Sequence, residues 1–327
     1  MKTVLDVKEL KLALKKDIFG VEINILRGVS FSVRERESVA IVGESGSGKT
    51  LTAMAVVGLV PDNMSVTKGE VLLCGKDVFK MSRREIREMR GTKAGMIFQE
   101  PSSYLNPVFT AGDQIFEAIK DVGLCRDDKK RQCIEILGDV GLPEDVYCRY
   151  PHQLSGGQQQ RVMIAMALIN KPSILIADEP TTALDVTTSF GIIELLKALI
   201  AKYGLSLLFI THDISLVAGF ADKIAVMYAG RVVEVSDAKM AIEKPAHPYT
   251  EKLIACLPER YTSGERIRTI EGNVPDFRNI PSGCAFHPRC PYVMDICRKN
   301  EPAITTKEGF SVRCFRYGKD VEYDKCL

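Results

Sequence analysis

Short apolar runs alternate along this chain with segments whose apolar residues recur at helical spacing. Ser38 to Val42 ("SVAIV"), the run beginning at Ile174 ("ILIAD") and the run beginning at Leu207 ("LLFIT") are rich in Val, Ile and Leu and read as buried strands. From Lys49 onward Leu51, Met54, Val57 and Gly58 fall on successive turns, which predicts a helix. Leu154 to Leu168 ("LSGGQQQRVMIAMAL") reads as a turn followed by a helix, with Ser155 as its N-cap. Alternation of this kind predicts an α/β fold around a parallel sheet. "KMSRREIREMRGTK", Lys80 to Lys93, predicts a solvated helix on which Glu85 and Glu88 pair with arginines one turn away. Pro and Gly are frequent from Pro245 to Pro291, so that segment is expected to be extended and poor in regular structure.

Charge and composition narrow the class. The 327 residues carry 44 basic and 42 acidic side chains, a net charge of +2, which gives no electrostatic case for nucleic acid as the main partner. No apolar run approaches the ~18–20 residues that span a bilayer. The start, "MKTVLDVKELKLALKKD", mixes charges throughout and lacks the apolar core of a secretory signal. A cytoplasmic protein able to dock on a membrane protein is the expectation. Ten cysteines in a chain of this size without an export signal point to free thiols or metal ligands rather than disulfides.

The chemistry begins immediately after the first buried run. Gly43-Glu44-Ser45-Gly46-Ser47-Gly48-Lys49-Thr50 fits G-x-x-x-x-G-K-[ST], between a strand and a helix as that motif requires. Glycines let backbone N–H groups converge on phosphate oxygens, and a helix N-terminus adds partial positive charge. Lys49 is placed to reach β- and γ-phosphates, and the Thr50 hydroxyl to ligate Mg²⁺. The run "SILIADEP" ends in two carboxylates: Asp178, suited to holding Mg²⁺, and Glu179, suited to orienting and polarising an attacking water. Ser155, Gly156 and Gly157 at a helix start form a second phosphate site. Two phosphate surfaces with one phosphate loop point to a head-to-tail pair of similar subunits, each capping the other's nucleotide.

Leu154-Ser155-Gly156-Gly157-Gln158 resembles the signature of the ATP-binding cassette (ABC) transporter ATPases. That resemblance covers residues 1 to about 255 and implies a P-loop NTPase fold of the ABC type. Its expected parts are a β-rich N-terminal subdomain, a parallel sheet flanked by helices, and an inserted helical subdomain from about 99 to 167. Residues 256–327 would form an irregular Cys-rich extension. It also assigns roles. Gln99 in "MIFQEP" would link Mg²⁺ and the attacking water to the membrane partner. Asp185 in Ala183-Leu184-Asp185 would lie in the segment that crosses the dimer interface. His212 in "LLFITHDISL" would contact the γ-phosphate. Phe19 either stacks on adenine or is an ordinary core residue of a β-rich segment.

"MIFQEPSSYLNPVFTAGDQI", "IADEPTTALDVT" and "HPYTEKLIACLP" resemble the ATPase subunits of dipeptide and oligopeptide importers. "RVMIAMAL" and "LNPVFT" resemble the D-type subunit. "SGGQQQR" departs from it where many such subunits have Met-Arg. This resemblance implies a related F-type ATPase subunit or a second copy as partner, two membrane permease subunits, an extracytoplasmic peptide-binding protein, and a peripheral place on the cytoplasmic face of the membrane. A nickel or other small-solute importer of the same group is an alternative. Soluble ABC proteins of translation or repair usually carry two cassettes or a long coiled coil, which this chain lacks. A regulatory metal-binding protein with a dead nucleotide site is disfavoured by Lys49, Glu179 and His212.

The tail carries Cys284-x5-Cys290-x6-Cys297-x16-Cys314. Four thiolates can hold a tetrahedral Zn²⁺ or an iron–sulfur cluster. The tight C-x2–4-C pairs of structural zinc sites are missing, and the wider gaps suit a [4Fe–4S] cluster. Some D-type subunits carry such a cluster on four cysteines, and this tail resembles theirs. Zinc and free thiols stay open as alternatives.

Overall fold

A computed structural model describes residues 2–15, 22–182, 184–257, 261 and 269–318. In chain order the elements begin with β1 (Thr3–Leu14), β2 (Ile23–Arg34), β3 (Ser38–Val42), α1 (Lys49–Val56), β4 (Met64–Leu73), β5 (Lys76–Asp77), α2 (Arg83–Thr92) and β6 (Ala94–Ile97). Next come α3 (Pro101–Tyr104), α4 (Ala111–Ala118), α5 (Arg126–Asp139), α6 (Gly156–Leu168), β7 (Ile174–Asp178), α7 (Val186–Tyr203) and β8 (Ser206–Thr211). The chain closes with β9 (Lys223–Tyr228), β10 (Arg231–Asp237), α8 (Ala238–Glu243), α9 (Pro248–Ala255), α10 (Asp295–Lys299), β11 (Thr305–Lys307) and β12 (Phe310–Val312). They divide into two compact units.

The first unit comprises Met1–Leu5, Val33–Ser38 and Leu72–Ile210. Its centre is the parallel row β6-β7-β8, registered through Ile97↔Ala177 and Asp178↔Ile210. β7 and β8 are buried along their whole length, which is why their sequences are continuous aliphatic runs without alternation. α6 lies directly on β6: a Cβ on Gly95 would stand 2.4 Å from the Ala167 carbonyl oxygen. α4 and α5 pack with α6 as a helical group. Reciprocal caps start its helices, Thr110 with Asp113 on α4 and Ser155 with Gln158 on α6. In α2 the expected pairing does not form as read. Glu85 turns back to cap Ser82 and pairs with Lys76 of β5 rather than with an arginine of its own helix.

The second unit comprises Asp6–Ser32, Val39–Val71 and Thr211–Leu327. β3 runs parallel to β9 (Val39↔Lys223, Val42↔Val226), β9 turns into antiparallel β10, and β12 and β11 extend that row. α1 buries Thr52, Ala53, Ala55 and Val56, whereas Leu51 and Met54 are only half-buried. The predicted apolar stripe therefore gives way to a close-packed face of small side chains.

The tail is more regular than its Pro and Gly content suggests. α9 sits inside the segment expected to be extended. His247 accepts the Tyr249 amide at 3.0 Å through Nδ1, Pro248 fills the first helical position, and Tyr249, Thr250 and Ile254 are buried. Glu234 of β10 receives the amides of Ala246 (3.2 Å) and His247 (2.7 Å). Burial pushes the His247 imidazole down to about 3, which keeps Nδ1 free of a proton and able to cap. Beyond α9, β12 pairs with β10 through Glu234↔Val312. Tyr228, Tyr249 and Phe286 form a buried aromatic group, with ring centres 4.7 to 5.4 Å apart, that binds the tail to β9.

Candidate nucleotide site

In the second unit the loop Gly43–Gly48 joins β3 to α1. A Cβ at position 43 would meet the Met227 carbonyl oxygen at 2.2 Å, so only glycine lets the loop leave the strand there. Gly48 takes φ +101° and caps α1 without a side-chain hydrogen bond of its own. Ser47 is fully buried, and its hydroxyl has no hydrogen-bond partner among the described residues. Lys49 is 4% exposed and folds back over the loop, donating from Nζ to the carbonyls of Gly43 (2.9 Å) and Glu44 (3.0 Å). Thr50 is exposed at the first turn of α1. A cradle of amides with one cation, closed to a Cβ at Gly43 and Gly48, fits a polyphosphate. Ser45 and Gly46 are exposed at its rim.

Other residues hold this loop in place, and sequence reasoning did not assign them to it. The Glu44 amide donates to the Tyr249 hydroxyl at 2.8 Å, and the Glu44 carboxylate is gripped by both terminal nitrogens of Arg289 at 2.7 and 3.0 Å. Tyr249 belongs to "HPYT" and Arg289 to "FHPRC", stretches read only as signs of a family group. His212 follows β8 and is exposed; the hydroxyl of Thr211 and the carboxylate of Asp213 fix the turn beside it.

In the first unit Asp178 ends β7 and is 2% exposed. Glu179 follows at φ +44°, a left-handed conformation that is costly for a glutamate. Its amide donates to the Ile210 carbonyl, which fixes the turn against β8. The carboxylate accepts the Thr182 hydroxyl at 2.8 Å and the Gln99 amide at 3.5 Å. Gln99, just beyond β6, and Glu179, just beyond β7, are thus brought together at the carboxyl ends of neighbouring parallel strands, where ligands of such sheets bind.

Ser155 caps α6 and exchanges hydrogen bonds with Gln158. Gly157 lies against the start of α7, where a Cβ would stand 2.7 Å from the Thr188 methyl. Asp185 caps α7 by accepting the Thr188 amide (3.0 Å) and hydroxyl (2.7 Å), and those hydrogen bonds lower its pKa. The Ser155-Gly156-Gly157-Gln158 turn and Asp185 therefore share one surface. Phe19 and Ala183 lie outside the described residues.

Cys284, Cys290, Cys297 and Cys314 line one cavity, with His247 and His287 beside them. Burial pushes the Cys284 thiol up to about 12 and the Cys314 thiol to about 11, and raises that of Cys290 as well. The backbone amides of Phe286, Tyr292 and Arg316 oppose that rise at Cys284, Cys290 and Cys314 respectively. Among the described residues no group of three or more His, Cys, Asp or Glu side chains is gathered closely enough to hold a single metal ion. Neither the zinc reading nor the cluster reading finds a gathered ligand set among the described residues.

Comparison with known proteins agrees with this geometry. The ABC transporter family matches residues 26–182, and the C-terminal region of oligopeptide/dipeptide transporters matches residues 233–297. The dipeptide transport ATP-binding protein DppD of Escherichia coli (strain K12) is 48% identical over 88% of this chain and 89% of its own. The chain belongs to the ABC transporter ATPases. The oligopeptide transport ATP-binding protein AppD of Bacillus subtilis (strain 168) is 42% identical over 98% of both chains. Among solved structures, a dimeric ATP-binding cassette in a post-hydrolysis state with ADP and phosphate superposes with a TM-score of 0.63 at 31% identity, over 72% of this chain and 99% of that one. In this family member the ABC fold is the α/β fold expected from the sequence. No helix among the described residues is long and apolar enough to cross a membrane.

Proposed function

We propose that this chain is the ATP-hydrolysing subunit of a membrane importer of di- and oligopeptides. The observation that carries the reading is the joining, in one unit, of the phosphate loop to the segment shared with oligopeptide/dipeptide transporters, through Tyr249 and Arg289 on Glu44. In this reading residues 1–255 are the ATPase, with its helical part at about 99–167, and residues 256–327 are its extension. Lys49 binds the β- and γ-phosphates, and Thr50 and Asp178 hold Mg²⁺. Glu179 polarises the attacking water, Gln99 links Mg²⁺ and that water to the membrane partner, His212 contacts the γ-phosphate, and Ser155, Gly156, Gly157 and Gln158 cap the nucleotide of a facing subunit. That subunit is a related F-type ATPase or a second copy. Two permease subunits anchor the pair at the cytoplasmic face, and a peptide-binding protein delivers cargo from the other side. Nucleic acid is not a partner.

The test is ATP hydrolysis by the full complex in proteoliposomes. Dipeptides delivered by the binding protein are expected to raise turnover several-fold. Stimulation by Ni²⁺ and none by peptides would transfer the chain to another cargo.

In the same reading the four cysteines hold a [4Fe–4S] cluster that staples the tail to the unit carrying the phosphate loop. What supports this reading is that the four thiols line one cavity. Protein purified without oxygen is expected to absorb near ~400 nm and to contain about four irons and four sulfides per chain, both lost in Cys290→Ser. Colourless protein with one zinc, or with no metal, would remove the cluster from this reading.

A further inference from the structure

The pattern G-x-x-x-x-G-K-[ST] leaves position 44 open, because amides and Lys49 do the binding. A carboxylate there is adverse: it places a negative charge in the loop that receives a polyphosphate. Glu44 is only half-buried, yet it is fully engaged. Its carboxylate takes both arms of the Arg289 fork (2.7 and 3.0 Å), its amide donates to Tyr249, and its carbonyl accepts from Lys49. Arg289 is equally committed. Its side chain is 4% exposed, its Nε donates to the Glu271 carbonyl at 2.9 Å, its Nη2 reaches the Ile270 carbonyl at 3.3 Å, and its Nη1 reaches the Tyr228 hydroxyl at 3.4 Å. The guanidinium is thus held from behind by the tail and presents a fixed fork to the loop, the geometry in which arginine outperforms lysine.

We infer that Arg289 is a positioning residue of the nucleotide site: it neutralises Glu44, turns that carboxylate away from the phosphates, and so sets the affinity for ATP. The loop from Cys284 to Cys290 thereby becomes part of the ATP site. This rests on the reading of Gly43–Thr50 as the ATP site, and not on what the cysteines hold.

The experiment is titration of the full-length chain with ATP in the presence of EDTA, so that binding is read without turnover. Arg289→Gln keeps a polar side chain but leaves Glu44 charged and unpaired. It is expected to weaken ATP binding about tenfold, or about 1.4 kcal/mol. Adding Glu44→Gln in the same chain removes the stranded charge and is expected to restore affinity to within about threefold of wild type. Arg289→Lys, with charge but no fork, is expected to fall between. Wild-type affinity in Arg289→Gln, or a double variant as weak as that single variant, would overturn the inference. Should Arg289→Gln not fold, the double variant decides: near-wild-type binding supports the inference, while tenfold weaker binding, or failure to fold, assigns the pair to fold stability alone and overturns it. A wild-type chain that binds no ATP would instead remove the nucleotide reading itself, a result distinct from any difference among the variants.

Discussion

Glu179→Gln is expected to lower ATP turnover by about 10²- to 10⁴-fold, the range associated with a lost general base, while ATP stays bound. The amide is nearly the same shape as the carboxylate. It can still accept the Thr182 hydroxyl and meet Gln99, so the strained turn at φ +44° survives. What it cannot do is take a proton from water. It also removes a negative charge from the carboxyl end of β7, so binding is not expected to weaken. Gel filtration with ATP and Mg²⁺ is expected to show a long-lived dimer, and a phosphate-release assay to show the lost turnover. Turnover within tenfold of wild type would assign the base elsewhere.

The reach of the sequence is clearest where chemistry dictates residue type at fixed spacing. The phosphate loop needs glycine where no Cβ fits, as at Gly43 against the Met227 carbonyl, and it needs a lysine at the helix start. Strands covered on both faces must be continuous aliphatic runs, so β3, β7 and β8 were visible as such. The pairing of Gln99 with Glu179 could be expected only through the family resemblance, because 80 residues separate them. Arg289 and Tyr249 were not legible as loop contacts. They lie 245 and 205 residues beyond Glu44, and no local periodicity encodes a contact of that range. α9 was missed for a different reason. Its cap is a neutral histidine followed by proline, and that proline was counted as a sign of an irregular segment rather than as the first residue of a helix. Glu85 shows the converse error. The positions three and four away hold Met81, Ser82, Glu88 and Met89 and no arginine, and the reciprocal cap with Ser82 satisfies backbone donors that water would otherwise have to serve.

Lys49→Ala is expected to weaken ATP binding by about 100-fold, or about 2.7 kcal/mol, and to bring hydrolysis below detection. The magnitude follows from where the amine sits. Lys49 is buried, and its ammonium is held against the Gly43 and Glu44 carbonyls, so its solvation is already lost and its direction already fixed. A phosphate oxygen entering the loop would therefore meet a pre-oriented cation and form charge-assisted hydrogen bonds with little further ordering. Lys49→Arg is not expected to restore function. The guanidinium is planar and wider than an ammonium, and the buried amine it would replace is held by two loop carbonyls at 2.9 and 3.0 Å. Both variants can be followed with a fluorescent ATP analogue, alongside thermal melting to show that the fold persists. Binding within threefold of wild type in Lys49→Ala would mean that the backbone amides and the N-terminus of α1 hold the phosphates unaided. That outcome is not expected: among the described residues the other cation seen gripping this loop is Arg289, whose charge is already matched by Glu44, so without Lys49 the pair leaves the loop no net positive side-chain charge for the phosphates.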